Sequence, residues 1–176
     1  MTAGRHNNNR NKEWSTPRKY VDAVTDFFGK IELDPCSNEY SIVHAKTEFR
    51  LPTDGLNQDW TPYKTIFVNP PYGKDKERGT SIYDWIRKCW ETCNRSYAEI
   101  EILALIPVAT NTKHWKKYIF GIASGICFLA DTRLKFLISG EEQKKGAPMA
   151  CAMVYWGRNL EKFETVFSNH GAIVQC

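Results

Sequence analysis

The sequence has no apolar run of membrane-spanning length, no Cys-x-x-Cys pair, no histidine at metal-ligand spacing from a cysteine, no internal repeat and little excess of either charge. Each absence excludes something. A helix crossing a bilayer needs about 20 consecutive apolar residues, so no membrane span is expected. The stretch Met1 to Lys12 is polar and Asn-rich, unlike the apolar centre of a secretory leader, so secretion is not expected either. Cysteines at 36, 89, 93, 127, 151 and 176 therefore read as reduced thiols of a cytoplasmic protein, with no metal site among them. A formal net charge of +4 permits a nucleic-acid partner without arguing for one.

What is present fits one α/β domain. The chain has 176 residues, which suits a single core. Residues 1–13 read as a loosely held tail and 14–176 as one folded unit. Six tryptophans are many for this length, and core packing is the expected use of most. Thr16-Pro17 predicts a helix start, with Thr16 as cap. Tyr20, Val21, Val24, Phe27 and Phe28 recur at helical spacing up to Gly29. A short strand is predicted at Lys30–Leu33, stopped by Asp34-Pro35, and another near 47–51. Thr65–Val68 reads as a β-rich strand that halts at Asn69-Pro70-Pro71-Tyr72-Gly73. A helix follows from Ser81, which with Asp84 resembles a capping box. Ile82, Trp85, Ile86, Cys89, Trp90 and Cys93 form its apolar stripe.

Beyond it the pattern predicts a strand at Glu99–Ile106 and a helix over 112–124 with Trp115, Tyr118, Ile119 and Ile122 on one face. Strands are predicted at 125–130 and 133–138, a polar loop at 139–147, and a buried strand at Met149–Trp156. A helix at 159–168 and a strand at 172–175 complete the chain. Alternation of apolar strands with helices implies a mixed, mostly parallel sheet covered on both faces. Ligands of such sheets bind outside the carboxyl ends of the strands. Asp34-Pro35 and Asn69-Pro70-Pro71-Tyr72 both fall at such ends.

The second of these motifs can carry chemistry. Two consecutive prolines fix φ and remove two N–H donors, and the residue before each is pushed out of the helical region. The result is a stiff loop rich in acceptors. The Asn69 side-chain oxygen and the Pro70 carbonyl can each accept one hydrogen from an amine. That steers a delocalised nitrogen lone pair towards an electrophile. Tyr72 can stack on a planar base, worth roughly 1–3 kcal/mol. Gly73 would let the backbone pass close to a ligand.

Asn69-Pro70-Pro71-Tyr72 resembles the [Asp/Asn/Ser]-Pro-Pro-[Tyr/Phe/Trp] motif of amino-methyltransferases, whose Asn form is typical of adenine-N6 enzymes. Trp14-Ser15-Thr16-Pro17 resembles their N-terminal Thr-Pro motif. Leu33-Asp34-Pro35-Cys36-Ser37-Asn38 resembles the first cofactor-binding motif, with Asn38 where a glycine is usual; Asn tolerates a left-handed turn there. Asp54-Gly55-Leu56 with Trp60, and further on Arg133–Phe136 and Ala147-Pro148, are similar to phage-type DNA N-6-adenine methyltransferases (Dam-like). The order of the motifs is also the family's.

The resemblance implies a Rossmann-like class I methyltransferase fold and S-adenosylmethionine as methyl donor. It implies catalytic roles for Asn69, Pro70, Pro71 and Tyr72. It implies cofactor contacts from Thr16, Pro17, Asp34, Pro35, Cys36, Ser37, Asp54 and Asn69, with Glu48 as the candidate for the ribose hydroxyls. The partner implied is double-stranded DNA in a bacterial host's cytoplasm, with protection from restriction as the family-level role. A target amine inside a duplex must be rotated out. Lys74, Lys76 and Arg78, Lys113 and Lys116, and Lys144 and Lys145 are the candidates for phosphate contacts. The chain has no large separate recognition domain, so a short recognition site, or modest specificity, is expected. Two other readings stay open: methylation of RNA or of a protein glutamine, and a non-catalytic nucleic-acid-binding module of the same fold. The sequence carries no signal for an oligomeric state.

Overall fold

The computed structural model describes residues 14–95, 99–131, 134–139, 141–142 and 149–176. The tail 1–13, Arg133, Lys144, Lys145 and Ala147-Pro148 lie outside the described residues. The elements are β1 (Trp14–Ser15), α1 (Arg18–Phe28), β2 (Leu33–Asp34), β3 (Thr47–Glu48), β4 (Thr65–Val68), α2 (Ile82–Arg95), β5 (Glu101–Pro107), α3 (Lys113–Tyr118), β6 (Gly125–Leu129), β7 (Leu137–Ile138), β8 (Glu141–Glu142), β9 (Cys151–Trp156), α4 (Leu160–Phe167) and β10 (Gly171–Gln175).

Seven strands form one sheet in the order β10-β6-β9-β5-β4-β2-β3. Strands β3, β2, β4 and β5 are parallel neighbours. Strand β9 runs antiparallel between β5 and β6, and β10 runs antiparallel to β6. Five strands therefore point one way and two the other, the mixed and mostly parallel sheet expected. Its central strands are apolar on both faces, and alternate residues feed two cores. Phe67, Leu103, Leu105, Met153 and Tyr155 face α1 and α4, which contribute Tyr20, Val24, Phe27, Phe163 and Phe167. Ile66, Val68, Ile102, Ala104, Ile106 and Val154 face α2 and α3, which contribute Trp85, Ile86, Cys89 and Trp115. Each of the large side chains stabilises the fold by about 1.5–3 kcal/mol. Trp60, Trp85, Trp115 and Trp156 are core residues, as expected of most tryptophans here.

The chain passes from β2 outward to β3, then returns to β4 on the other side of β2. Between β2 and β4 the strand order reverses. At such a point the loops leaving neighbouring strands diverge and open a crevice. Asp34 ends β2 and Asn69 follows β4, so both motifs stand at this crevice. A second, three-stranded sheet, β1-β7-β8, joins the N-terminal strand to residues over a hundred positions away, with Trp14 opposite Ile138 and Ser15 opposite Leu137.

Several local expectations are corrected. Thr16 does not cap α1: the cap position is Pro17, with ψ 140° and no side-chain hydrogen bond, because the Thr16 hydroxyl is engaged elsewhere. The strand expected at 30–33 is confined to Leu33–Asp34, and ahead of it the Thr65 hydroxyl accepts from the Glu32 N–H and donates to the Lys30 carbonyl. Helix α3 stops at Tyr118, where the Phe120 N–H bonds back to the Trp115 carbonyl and Gly121 turns left-handed (φ 66°). Ile122, expected on the buried face, is consequently exposed. The strand expected at 133–138 is confined to Leu137–Ile138, and the polar loop expected after it contains Glu141–Glu142 as a third strand. Asn38 does not adopt positive φ; among the described non-glycine residues His44 and Ser139 do.

Candidate active site

The turn after β2 is built around a buried acid. Asp34 is 4% exposed and accepts a hydrogen bond from the Cys36 N–H (3.1 Å). Burial pushes its carboxyl up to about 7, and that one N–H only partly offsets the desolvation. Glu48, opposite Asp34 in the parallel ladder, raises it further. Glu48 itself pairs with Arg50. Pro35 is buried, and Cys36 and Ser37 are partly buried on the same turn. Asn38, in place of the usual glycine, is a tether. Its side-chain oxygen accepts from the Ser15 hydroxyl (3.2 Å) and the Tyr40 N–H (2.8 Å), while its amide donates to the Trp14 carbonyl (3.2 Å).

Asp54-Gly55 supports this turn from behind. The Asp54 carboxylate caps a single 3-10 turn by accepting from the Leu56 N–H (3.0 Å). The Gly55 carbonyl accepts from the buried Trp60 indole (2.8 Å). Trp60 also lies under the Lys88 ammonium, 5.0 Å from its ring centroid. A Cβ on Gly55 would lie 1.8 Å from the Pro35 carbonyl oxygen, which is backbone and cannot rotate aside. Gly55→Ala is therefore expected to cost about 1–3 kcal/mol of stability by overpacking. It should also displace the Asp34 turn, lowering affinity for S-adenosylhomocysteine. Urea unfolding and calorimetric titration of the variant check both effects; unchanged values would refute the close approach.

The Asn69-Pro70-Pro71-Tyr72 loop faces that turn. Pro70 is buried and Pro71 half-buried. The Asn69 amide donates from Nδ2 to the Thr16 hydroxyl at 3.0 Å. Its Oδ1 has no hydrogen-bond partner among the described residues. The Asn69 backbone N–H points at the Cys36 thiol, whose proton is held on by burial and by the neighbouring Asp34. The two motifs are thus in contact. The Tyr72 hydroxyl donates to the Leu105 carbonyl (3.2 Å), and its burial pushes the phenol well above its ordinary range. The ring stands edge-on to Phe136 (centroids 5.8 Å, 77°), and Phe136 stacks on Trp14 (5.3 Å, 15°).

The cationic candidates separate into two kinds. Lys74, Lys76, Lys113 and Lys116 are exposed. Arg78 is instead engaged by two carboxylates, Asp54 (3.2 Å) and Asp75 (2.9 Å), and ties the loop after Tyr72 to the Asp54 turn. The sequence pattern placed Asn69 and Asp34 at one sheet edge, where they are found, and Glu48 stands opposite Asp34 on the next strand. It missed Asn38 as a tether and the pairing of Trp14 with Phe136. A tryptophan in the otherwise polar approach to α1 is the only local signal for the latter.

A sheet whose strand order turns between β2 and β4, with helices on both faces and both motifs at that turn, has the architecture of a Rossmann-like methyltransferase. The chain belongs to the DNA N-6-adenine-methyltransferase (Dam) family, whose model matches residues 4–173. It is also similar to a DNA N-6-adenine-methyltransferase of Escherichia phage T1, 33% identical over 61 residues, covering 35% of this chain and 25% of that relative. The aligned part thus spans a quarter of the relative's length. No solved structure matches the chain.

Proposed function

We propose that the protein transfers a methyl group from S-adenosylmethionine to the N6 amine of adenine in DNA, acting on a base rotated out of the duplex. The observation that carries this reading is the Asn69 amide, whose oxygen has no partner among the described residues, at a proline-locked loop in contact with the Asp34 turn.

The residues present suit the donor. Asp34 is a buried acid whose carboxyl stays raised because Arg50 and the Cys36 N–H offset only part of the cost of burial, and a cationic ligand relieves that cost. Pro17, Pro35, Cys36 and Ser37 would wall the methionine end, with Asp54 behind them. Glu48 lies one strand further along the same edge and would accept from the ribose hydroxyls. The donor, when bound, supplies an electrophilic methyl group on a sulfonium, which the amine nitrogen takes in a single displacement.

The chain's own contribution is orientation and charge placement. Asn69 Oδ1 and the Pro70 carbonyl accept the two amine hydrogens and aim the lone pair. As the nitrogen becomes cationic they stabilise it, and one of them or water receives the proton it sheds. Pro71 keeps the loop stiff, and Tyr72 offers a ring beside the base. Lys74, Lys76, Lys113 and Lys116 would hold phosphates, which position a duplex without reading it. Expression in a bacterial host lacking adenine methylation, followed by sequencing of its DNA for N6-methyladenine, tests the proposal. Modified adenine within a short recurrent sequence is expected. Unmodified DNA from cells in which the purified protein still binds S-adenosylhomocysteine would overturn it and favour an RNA or protein substrate. Loss of that binding as well would indicate a non-catalytic module.

A further inference from the structure

We infer that Thr16 is a positioning residue for Asn69, setting which end of its amide faces the target amine. This rests on the functional reading above. An asparagine amide has a donor end and an acceptor end of nearly equal shape, and only the acceptor end can receive an amine hydrogen. Among the described residues Asn69 makes one side-chain hydrogen bond, from Nδ2 to Thr16 Oγ1. That bond engages the NH2 end, and the oxygen has no partner among the described residues.

The hydroxyl is itself firmly placed. Thr16 is 2% exposed and Ser15 is 4% exposed. The preceding residues are fixed from two sides, by pairing of β1 with β7 and by the Asn38 bonds to Ser15 and Trp14. The same small sheet carries Phe136 just before β7, and Phe136 braces the Tyr72 ring. The residues that meet both ends of the Asn69–Tyr72 motif, Thr16 and Phe136, thus each directly flank a strand of this one sheet. A hydroxyl that merely capped α1 would bond to the helix N-terminus, and this one does not.

Thr16→Val keeps the shape and removes the hydroxyl, so the amide is free to turn its NH2 group outward. A lost buried hydrogen bond corresponds to roughly 10–100-fold. With labelled S-adenosylmethionine and unmethylated bacterial DNA, Thr16→Val is expected to lower kcat by about that factor, while S-adenosylhomocysteine affinity by calorimetry stays within about threefold. Thr16→Ser, which keeps the hydroxyl, should restore kcat to within about threefold of the parent. Weakened S-adenosylhomocysteine binding with unchanged kcat would make Thr16 a donor contact and overturn the inference. So would equal loss of both, or a Ser variant as impaired as the Val variant. Asn69→Ala, run alongside, separates the two levels: if it remains fully active, the functional reading itself fails, whatever Thr16 does.

Discussion

Asn69→Ala is expected to lower the rate of methyl transfer by roughly 10²–10³-fold, the scale of removing one preorganised group that stabilises developing charge, while affinity for S-adenosylhomocysteine changes little. The reasoning is geometric. Asn69 follows β4, whereas the buried acid proposed to face the donor is Asp34 on the neighbouring strand. Truncation removes the acceptor and leaves that acid in place. Single-turnover kinetics and calorimetry on the same preparation read the two quantities. Parallel loss of both would assign Asn69 a structural role in the contact with Cys36, and unchanged turnover would remove it from the chemistry.

Asp34→Asn is expected to move stability and donor binding in opposite directions. The folded protein holds this carboxyl at about 7 against an ordinary 3.8, with burial as the main cause. The native state therefore binds the proton more tightly than the unfolded state. Stability contributed by the neutral acid is complete below about pH 4, falls as pH rises towards 7, and stays low above it. The difference of about 3 pH units corresponds to a cost on the order of 4 kcal/mol at pH 8. An asparagine cannot ionise and escapes that cost, so the variant should melt several degrees higher at pH 8 and little differently at pH 4.

A cationic donor needs the ionised acid. Its affinity should fall by roughly 10²–10³-fold in the variant, the cost of losing a buried charge partner. In the parent it should weaken as pH drops below about 7, where binding must first displace the proton. Thermal melts across pH 4–8 with matched calorimetry would decide. A variant less stable than the parent at pH 8, or one that binds S-adenosylmethionine as well as the parent, would show that Asp34 only shapes the turn.

The parts legible in the sequence are those with local causes. Thr65–Val68 is found with the expected bounds because a β-rich run ends at consecutive prolines that cannot continue a ladder. Helix α2 follows its apolar stripe, and Asp84 Oδ2 reaches back to the Ser81 N–H (2.9 Å), half of a reciprocal cap. The small sheet was not legible. Strands of two residues have no periodicity, and β1 pairs with β7 across more than a hundred positions. The need for glycine at 55 was equally hidden, since nothing nearby in sequence reveals that Pro35 approaches its α-carbon. Thr16 read as a helix cap for the same reason: its partner, Asn69, is 53 positions away.

Composition, periodicity and the ordered motifs by themselves determined an α/β sheet with helices on both faces, two polar motifs at its carboxyl edge and a stiff, proline-locked loop after Val68. Those follow from constraints acting within a few residues: proline geometry, β-branched runs and apolar stripes. Only the tertiary structure decided how far Asp34 is buried, which end of the Asn69 amide meets Thr16 and which ring stands against Tyr72. Burial, electrostatic shift and hydrogen-bond direction depend on neighbours that the chain brings together only when it folds.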